Sequence, residues 1–252
     1  MIGSSAMQAT LFEFRNRWWV IFSIFAAAFL AYRVDPVNSA QAIADALAKW
    51  RGLRATRDDY RVVFACGAAL VALAAALRTW GTSYLQAEVM RDSRVRTETL
   101  MADGPYRRVR NPLYLGNIFL ALGMGLMASR TGFVILAAGM SLFVLRLILR
   151  EEAELLENQG QPYRKYSAAV PRLVPSLAAR VPPAGNTPHW GQAFRAEAMY
   201  WLLAVAMGGF AGTLNIKIFW GMLAVAMAAA FLTKRPESKR ESSERDAGSA
   251  PA

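Results

Sequence analysis

The sequence predicts an all-α fold: a polytopic helical membrane protein with about five to six transmembrane helices. The first observation is composition, because 55% of the 252 residues are hydrophobic and the mean hydropathy is +0.22. The second is patterning, because the apolar residues come in blocks rather than in the alternation of half-buried strands. The third is that most charged residues lie between these blocks.

The N-terminal part combines a polar lead, residues 1–17, with an uncharged apolar block, residues 18–32. We predict that this block is the first span, because Trp18 and Trp19 suit the membrane interface and more membrane segments follow. A signal peptide is the alternative interpretation, since arginines precede the block and it is shorter than the roughly 20 residues of an untilted span. Residues 37–50 have apolar residues at helical spacing, which predicts an amphipathic interfacial helix.

Three further apolar blocks with their connections make up the middle of the chain. Arg78 follows the second span, where its side chain can reach the membrane surface. The predicted elements are span two at residues 62–77, a polar membrane-surface segment at 81–102, span three at 113–129, a tight turn at 130–132, and span four at 133–149. We expect span four to continue as a water-exposed helix to residue 158, before Gly160.

The C-terminal part begins with a proline-rich linker that predicts irregular structure. A helical hairpin follows, with helices at residues 198–214 and 218–232. Its Gly208 and Gly212 have the small-xxx-small spacing that lets helices approach closely, so a packing or homodimer role is expected. Residues 234–252 are charged, rich in serine and free of aromatic residues, which predicts disorder.

Charge indicates a membrane orientation rather than a nucleic-acid partner. Net charge is +11 and the sequence pI is near 10.3, but the basic residues lie between apolar blocks, where cytoplasmic retention and anionic headgroups explain them. Seven arginines from Arg78 to Arg110 lie between the second and third spans, and the residues after the fourth span are also arginine-rich. We expect both regions to face the cytosol, although the basic connector at 51–59 departs from this rule.

Metal and disulfide chemistry find little support in the sequence. The chain has one cysteine, Cys66, which lies in an apolar block and is expected to be a small buried residue. It has one histidine, His189, in a loop rich in proline and glycine. We therefore expect neither a metal site nor a disulfide framework.

Residues 103–117, DGPYRRVRNPLYLGN, place a cationic, proline-broken segment directly before the third span. Tyr106 and three arginines offer a phenol and several guanidiniums, which pair with carboxylates or phosphates through parallel hydrogen bonds. Asn111 precedes a proline and Tyr114 lies on the first turn of the span. A positively charged membrane flank with an aromatic belt is the alternative interpretation of this segment alone.

Residues 151–175, EEAELLENQGQPYRKYSAAVPRLVP, follow the fourth span. Glu151 and Glu152 lie where the helix leaves the bilayer, a position that disfavours carboxylates unless they are paired or used. They suit a cation such as a sulfonium or an ammonium. Tyr163 and Tyr166 are three residues apart on a predicted helical turn, and their rings are suited to contact a cation. A solvated helix end is the alternative for the two glutamates.

Together these motifs, GPYRRVRNPLYLG, then REEAELL, then GQPYRKYSAAVPRLVP, resemble the isoprenylcysteine carboxyl methyltransferase and phospholipid N-methyltransferase superfamily of integral membrane methyltransferases. The resemblance covers roughly residues 77–177 and implies S-adenosylmethionine as cofactor, bound at the cytosolic face, with a membrane lipid or prenylated molecule as substrate. Many members have histidine in place of Asn111, so we assign no general base there; many also have phenylalanine in place of Gln159.

The resemblance implies a residue set and a domain organisation. The catalytic residues expected are Arg110, Glu152 and Arg172. The cofactor-binding residues expected are Tyr106, Arg110, Asn111, Pro112, Tyr114, Gly116, Glu151, Glu152, Tyr163 and Tyr166. The expected units are an N-terminal span with its interfacial helix at 1–60, a methyltransferase core at 61–180, a linker and hairpin at 181–232, and the tail at 233–252.

The methyl acceptor stays open at this stage, as carboxylate or amine. An ionised carboxylate needs no base, whereas an amine must be kept neutral by a carboxylate or tyrosine. We expect an integral protein of a bacterial-type inner (cytoplasmic) membrane with its site facing the cytosol.

Two alternative functions share features of this sequence. A membrane NADPH-dependent sterol-type reductase has a similar cationic proline motif but needs more spans ahead of it. A non-catalytic scaffold or transporter is the other, although transporters place polar groups midway through their spans, and these span centres are nearly all apolar. Gly123 and Gly125 lie inside an apolar span and predict helix packing rather than a phosphate-binding loop.

Overall fold

A computed structural model describes residues 7–91 and 102–233, with side chains described for 7–85, 102–225, 227 and 228. The secondary structure of these residues consists of helices joined by irregular segments, with no strand, which confirms the predicted all-α fold. The α-helices of the described part are α1 (Leu11–Arg15), α2 (Arg17–Leu30), α3 (Ser39–Trp50), α4 (Arg57–Arg91), α5 (Pro112–Gly125), α6 (Arg130–Gln159), α7 (Gln161–Ala169), α8 (Trp190–Ala196), α9 (Ala198–Thr213) and α10 (Ile216–Thr233). The predicted tail at 234–252 lies outside these residues.

Two described helices are long and apolar enough to cross a membrane: Arg57–Leu85 within α4, and α6. The helices α5 and α9, and the part of α10 over Ile216–Val225, are apolar but shorter than a full span. The structure thus supports two crossings by length and composition, and the five to six spans stay a prediction.

The predicted first span corresponds to α2, whose 14 residues are too few for an untilted crossing. The helix packs on α6 at Gly132, where an added Cβ would lie 2.2 Å from the carbonyl oxygen of Ala28. Only glycine fits this approach between two helices. The contact fixes α2 against α6, the helix that carries Glu151 and Glu152.

The amphipathic helix predicted at 37–50 is confirmed as α3. Asn38 caps it by accepting a hydrogen bond from the Gln41 amide at 3.1 Å. Its small side chains, at intervals of four residues, are buried against the bundle: Ala40, Ala44 and Ala48. Trp50, on another face, is 86% exposed, as expected of a side chain that points to lipid or solvent.

The boundary predicted after span two is wrong. α4 continues through residue 77 to Arg91 instead of giving way to a surface segment at residue 81. Thr82 and Ser83 are buried, because α8 and the loop before it pack over this part of α4. Arg78 does not extend to the membrane surface either; its side chain is 13% exposed and ion-paired. Residues 92–101 of the predicted segment lie outside the described residues.

The turn predicted at 130–132 is also wrong, because these residues form the first turn of α6. Ser129 caps that turn by accepting from the Gly132 amide at 3.0 Å. The other end of α6 was predicted correctly: the helix ends at Gln159, and Gly160 adopts a positive φ of 61°.

Close packing of α4 and α5 confirms the packing role predicted for the glycines of the third span. A Cβ at Gly123 would lie 2.6 Å from the Gly67 carbonyl oxygen and 2.7 Å from a methyl of Val71. Cys66, expected to be buried, is exposed on α4, because it points away from the neighbouring helices.

The C-terminal hairpin is present as α9 and α10, but its close contact differs from the prediction. Gly209 is the residue against α10, where a Cβ would meet the Met222 sulfur at 2.3 Å. Gly208 and Gly212 have nothing within 4 Å of an added Cβ. They therefore make no close contact inside the described chain.

The linker between α7 and α8 is irregular, as predicted, and it lies along residues 103–110. Asp103, 5% exposed, accepts the amides of Ala184 and Asn186 at 2.9 and 2.8 Å. Backbone bonds join the two segments at Arg110–Pro171, Ser176–Arg108 and Arg180–Arg107. The linker thereby fixes the cationic segment in front of α6.

Candidate active site

Glu152 lies at the centre of the polar cluster formed by the two predicted segments. It projects from α6 and is 9% exposed. One carboxylate oxygen faces Arg110 Nη1 at 3.3 Å and accepts from Asn111 Nδ2 at 3.1 Å. The other accepts from Nε and Nη2 of Arg172 at 3.0 and 2.9 Å. One carboxylate thus holds two guanidiniums and an amide from separate parts of the chain.

The backbone brings these donors together in front of α6. The Arg110 amide donates to the Pro171 carbonyl at 2.9 Å, so Arg110 and Arg172 lie on two adjacent irregular segments of the chain. Asn111 Nδ2 also donates to the Arg172 carbonyl at 3.2 Å. Pro112 occupies the first turn of α5, where its missing amide proton costs nothing. Asn111 therefore joins this cluster to α5.

Gly104 starts the turn that precedes Arg110. Its φ is +56°, and an added Cβ would lie 2.3 Å from the Tyr84 ring. Both the backbone conformation and the space exclude a side chain here. Gly104 is thus a structural requirement of the turn that begins the cationic segment.

The buried guanidinium of Arg110 has one donor, its Nε, that makes no hydrogen bond among the described residues. The side chain is 11% exposed. A buried guanidinium donor left without an acceptor costs free energy, about 1–3 kcal/mol. The Nε of Arg150 is the other buried side-chain donor without a partner among the described residues, and Arg110 differs from it in lying within the cluster around Glu152.

Glu151 points to a different side of α6 and belongs to a second carboxylate environment. Its Oε1 accepts from the Tyr114 hydroxyl at 2.6 Å, and no ion pair to it is present in the part of the chain that the structure describes. Glu152 is neutralised by cations, whereas Glu151 is held by a neutral phenol. This difference gives the paired glutamates separate chemical roles.

The three predicted tyrosines at the front of the site lie near one another. Tyr163 and Tyr166 rings are 6.0 Å apart between centroids at 49°, and the Tyr166 hydroxyl donates to the Tyr106 carbonyl at 2.9 Å. Tyr163 is 4% exposed. Burial raises the pKa of its phenol, and the Glu152 charge acts in the same direction. The Tyr163 hydroxyl thus stays protonated at neutral pH.

Gly116 is the predicted site residue that the structure places elsewhere. It lies against α4, where an added Cβ would be 2.5 Å from Arg78 Cγ. Its contact is therefore with the Arg78 side chain rather than with the Glu152 cluster. The role assigned to it at the cofactor stays a prediction.

Sequence reasoning missed a second buried polar cluster on the other side of α5. Arg78 of α4 pairs with Glu197, which precedes α9, through Nε–Oε2 and Nη2–Oε1 distances of 2.6 and 3.1 Å. Asn117 and Tyr200 complete the cluster. The available signal was that each charge flanks an apolar block, at the end of span two and before the first hairpin helix.

The N-terminal residues were another omission, because the polar lead packs on α6. The Ala9 amide donates to the Arg146 carbonyl at 3.0 Å, and Arg146 pairs with Glu13 at 2.8 Å. Phe14 and Tyr114 both pack against the apolar cluster of Ala9, Phe143 and Leu147. Residues 9–14 therefore pack on the part of α6 that Tyr114 also contacts.

Comparison with known proteins identifies the segment that holds most of this site. Residues 62–161 match the phospholipid methyltransferase family. This family belongs to the superfamily that the motifs resemble, so the resemblance is confirmed. The match covers less than half of the chain, and it does not favour the reductase or scaffold alternatives. Arg172, Tyr163 and Tyr166 lie just beyond the matched segment.

The comparison with one curated relative covers less than half of either chain, and the comparison with solved structures found no match. The cobalt-zinc-cadmium resistance protein CzcN of Cupriavidus metallidurans is 26% identical to the chain over 108 residues, which is 43% of this chain and 47% of that protein. The chain thus spans about half the length of this relative.

Proposed function

We propose that the protein is an S-adenosylmethionine-dependent methyltransferase whose acceptor is a lipid or prenyl-type molecule. The observation that carries the proposal is the unmet Nε donor of buried Arg110, beside a carboxylate that already binds Arg172 and Asn111. Most buried polar side-chain atoms in native proteins have a hydrogen-bond partner, so an exception inside a cluster of charged side chains supports a position for a further acceptor. The family match supplies the reaction class.

The residues present fit the charges of this cofactor. Arg110 and Arg172 are the groups that would hold its carboxylate; the Arg172 side chain is 42% exposed and thus accessible from outside. Glu152 would keep both guanidiniums in place rather than contact the cofactor's amino group, because its oxygens already accept from three side chains.

Glu151 would supply the negative charge for a cationic group. Its carboxylate has no cationic partner in an ion pair within the described residues, and Tyr114 fixes its orientation. The rings of Tyr163 and Tyr166, on α7, offer aromatic faces on the side of the Glu152 cluster. S-adenosylmethionine, when bound, supplies a methyl group on an electrophilic sulfonium.

The chain contributes mainly positioning and exclusion of water. If the acceptor is a carboxylate, it is already ionised and Arg172 can orient it. If the acceptor is an amine, Glu151 is the group placed to take its proton, because Asn111 cannot titrate. Both carboxyl O-methylation and amine N-methylation therefore stay within the proposal.

We base the membrane setting on the arginine-rich segments before the third span and after the fourth span. The site would face the cytosol of a bacterial-type inner membrane, with the acceptor's apolar part in the bilayer. The division of the chain at residues 60, 180 and 232 and a homodimer belong to the same proposal. Gly208 and Gly212 are the residues a homodimer contact would use, since they are open in one chain.

Methyl transfer to defined acceptors tests the proposal. Purified protein in nanodiscs is incubated with methyl-labelled S-adenosylmethionine and either an aminophospholipid or a prenylcysteine, and label in the lipid fraction is counted. We expect transfer to one class, lost in Arg110→Gln and kept in Arg164→Gln, whose side chain is exposed on α7. Equal transfer by Arg110→Gln and the parent would contradict the proposed site.

A further inference from the structure

The cluster around Arg78 is built with full hydrogen bonding in a buried place. Glu197 is 4% exposed, and Thr82 donates to it at 2.7 Å in addition to the two Arg78 contacts. The Arg78 guanidinium also lies over the Tyr200 ring, 4.3 Å from its centroid. An ion pair this buried is expensive to desolvate and is weak evidence for stability alone. Its contacts beyond the pair therefore matter more.

Those contacts lead to the first turn of α5. Arg78 Nη1 donates to the Leu113 carbonyl at 3.3 Å and to Asn117 Oδ1 at 2.9 Å. The Tyr200 hydroxyl donates to the same Asn117 oxygen at 2.7 Å. One turn of helix is thus bound from α4 and from α9 at the same time.

That turn also carries two residues of the candidate active site. Asn111 precedes α5 and donates to Glu152, and Tyr114 lies between Leu113 and Asn117 with its hydroxyl on Glu151. Because an α-helix is stiff over one turn, moving the face held by Arg78 moves the opposite face as well.

Gly116 makes the contact between Arg78 and α5 close. A Cβ there would lie 2.5 Å from Arg78 Cγ and 3.3 Å from the Ala74 carbonyl oxygen. The glycine lets the arginine stem lie directly on the helix backbone. The guanidinium is therefore held at one distance from the first turn, rather than reaching it through a flexible contact.

Glu197 comes from a part of the chain outside the segment that matches the methyltransferase family, which ends at residue 161. We propose that Glu197 is a positioning residue: through Arg78 it fixes the first turn of α5, so that the chain at the start of α9 contributes to cofactor binding. This inference rests on the proposed function for its ligand but not for its geometry.

The test uses the full chain with three variants of the cluster and a matched control. Glu197→Gln and Arg78→Gln each leave one buried charge without its partner, and the double variant leaves none. Trp201→Phe is the control, because Trp201 Nε1 donates to Thr79 Oγ1 at 2.9 Å and joins α4 to α9 without a hydrogen bond to α5.

Three quantities are measured on detergent-purified protein: the melting temperature, the Kd for S-adenosylhomocysteine, and amide hydrogen exchange of residues 111–118. We expect both single variants to melt at a lower temperature and to bind S-adenosylhomocysteine about tenfold more weakly or worse. Their amides at residues 111–118 should also exchange faster. The double variant should regain melting temperature but neither affinity nor protection. Trp201→Phe should lose melting temperature only.

The inference is overturned if affinity and protection return with melting temperature in the double variant, or if all folded variants equal the parent. Either result would mean that the cluster only holds helices together. Hydrogen exchange keeps the two claims separate: a parent that binds no S-adenosylhomocysteine overturns the proposed function, whereas unchanged exchange at 111–118 overturns the positioning role.

Discussion

Glu152→Gln is the substitution that should affect the candidate site most strongly. The change removes the charge that holds two guanidiniums while it keeps the side-chain volume. Arg110 is 11% exposed and loses its only ion-pair partner among the described residues, whereas Arg172 is 42% exposed and water can solvate it. The cost should therefore come mainly from Arg110.

The magnitude follows from that difference in exposure. Breaking a buried pair by removing one partner costs about 3–5 kcal/mol, and the exposed Arg172 puts this site at the low end, about 3 kcal/mol. At about 2–4 °C per kcal/mol for a chain of this size, the melting temperature should fall by about 6–12 °C. Affinity for S-adenosylhomocysteine should fall as well, because the two arginines are no longer held in place.

Glu154→Gln is the matched control on the same helix. Glu154 pairs with Arg150 at 2.8 Å in an i,i+4 arrangement, and its side chain is 45% exposed. Such pairs contribute about 0.5 kcal/mol or less. Thermal unfolding by circular dichroism and calorimetric titration measure both variants. A Glu152→Gln protein that melts and binds like Glu154→Gln would refute the reasoning.

Three further substitutions probe separate features. Gly123→Ala would place a Cβ 2.6 Å from the α4 backbone and should cost about 1–3 kcal/mol in thermal unfolding; a melting temperature equal to the parent's would contradict the packing. Tyr114→Phe removes the 2.6 Å bond to Glu151 and should slow methyl transfer with a small change in melting temperature; an unchanged rate would exclude that pair from the site. Arg130 and backbone donation lower the pKa of Asp35 to about 2, so its stabilisation is present above the ordinary carboxyl pKa and is lost as pH falls towards 2; Asp35→Asn should flatten the decline of melting temperature below pH 4, and a decline as steep as the parent's would rule this out.

The sequence predicted the elements of the site better than their pairing. Apolar blocks and Gly160 located α6 and its end, because local signals decide helix boundaries. The resemblance grouped Glu152 with Arg110 and Arg172, but helical spacing did not predict that they pair, because the two arginines come from segments 42 and 20 residues away. Ion pairs between segments depend on how the helices pack, and spacing along one helix does not contain that information.

Burial of polar residues accounts for the errors at the end of the predicted second span. Thr82 and Ser83 were interpreted as membrane surface because they follow an apolar block, but α8 and its loop cover them. Arg78 was expected to reach the membrane surface because it follows an apolar block; its partner, Glu197, is 119 residues later in the chain, so no local pattern links the two. In both cases the covering element lies in the C-terminal part, which the motifs around Arg110 do not include.

Binding of S-adenosylhomocysteine to the detergent-purified parent, with a nicotinamide dinucleotide as the paired ligand, tests the central claim most directly. Calorimetry should show saturable binding of the former alone, reduced in Arg110→Gln and unchanged in Arg164→Gln. Folded parent protein that binds the dinucleotide instead, or binds neither ligand, would contradict the assignment of a methyltransferase site to this cluster.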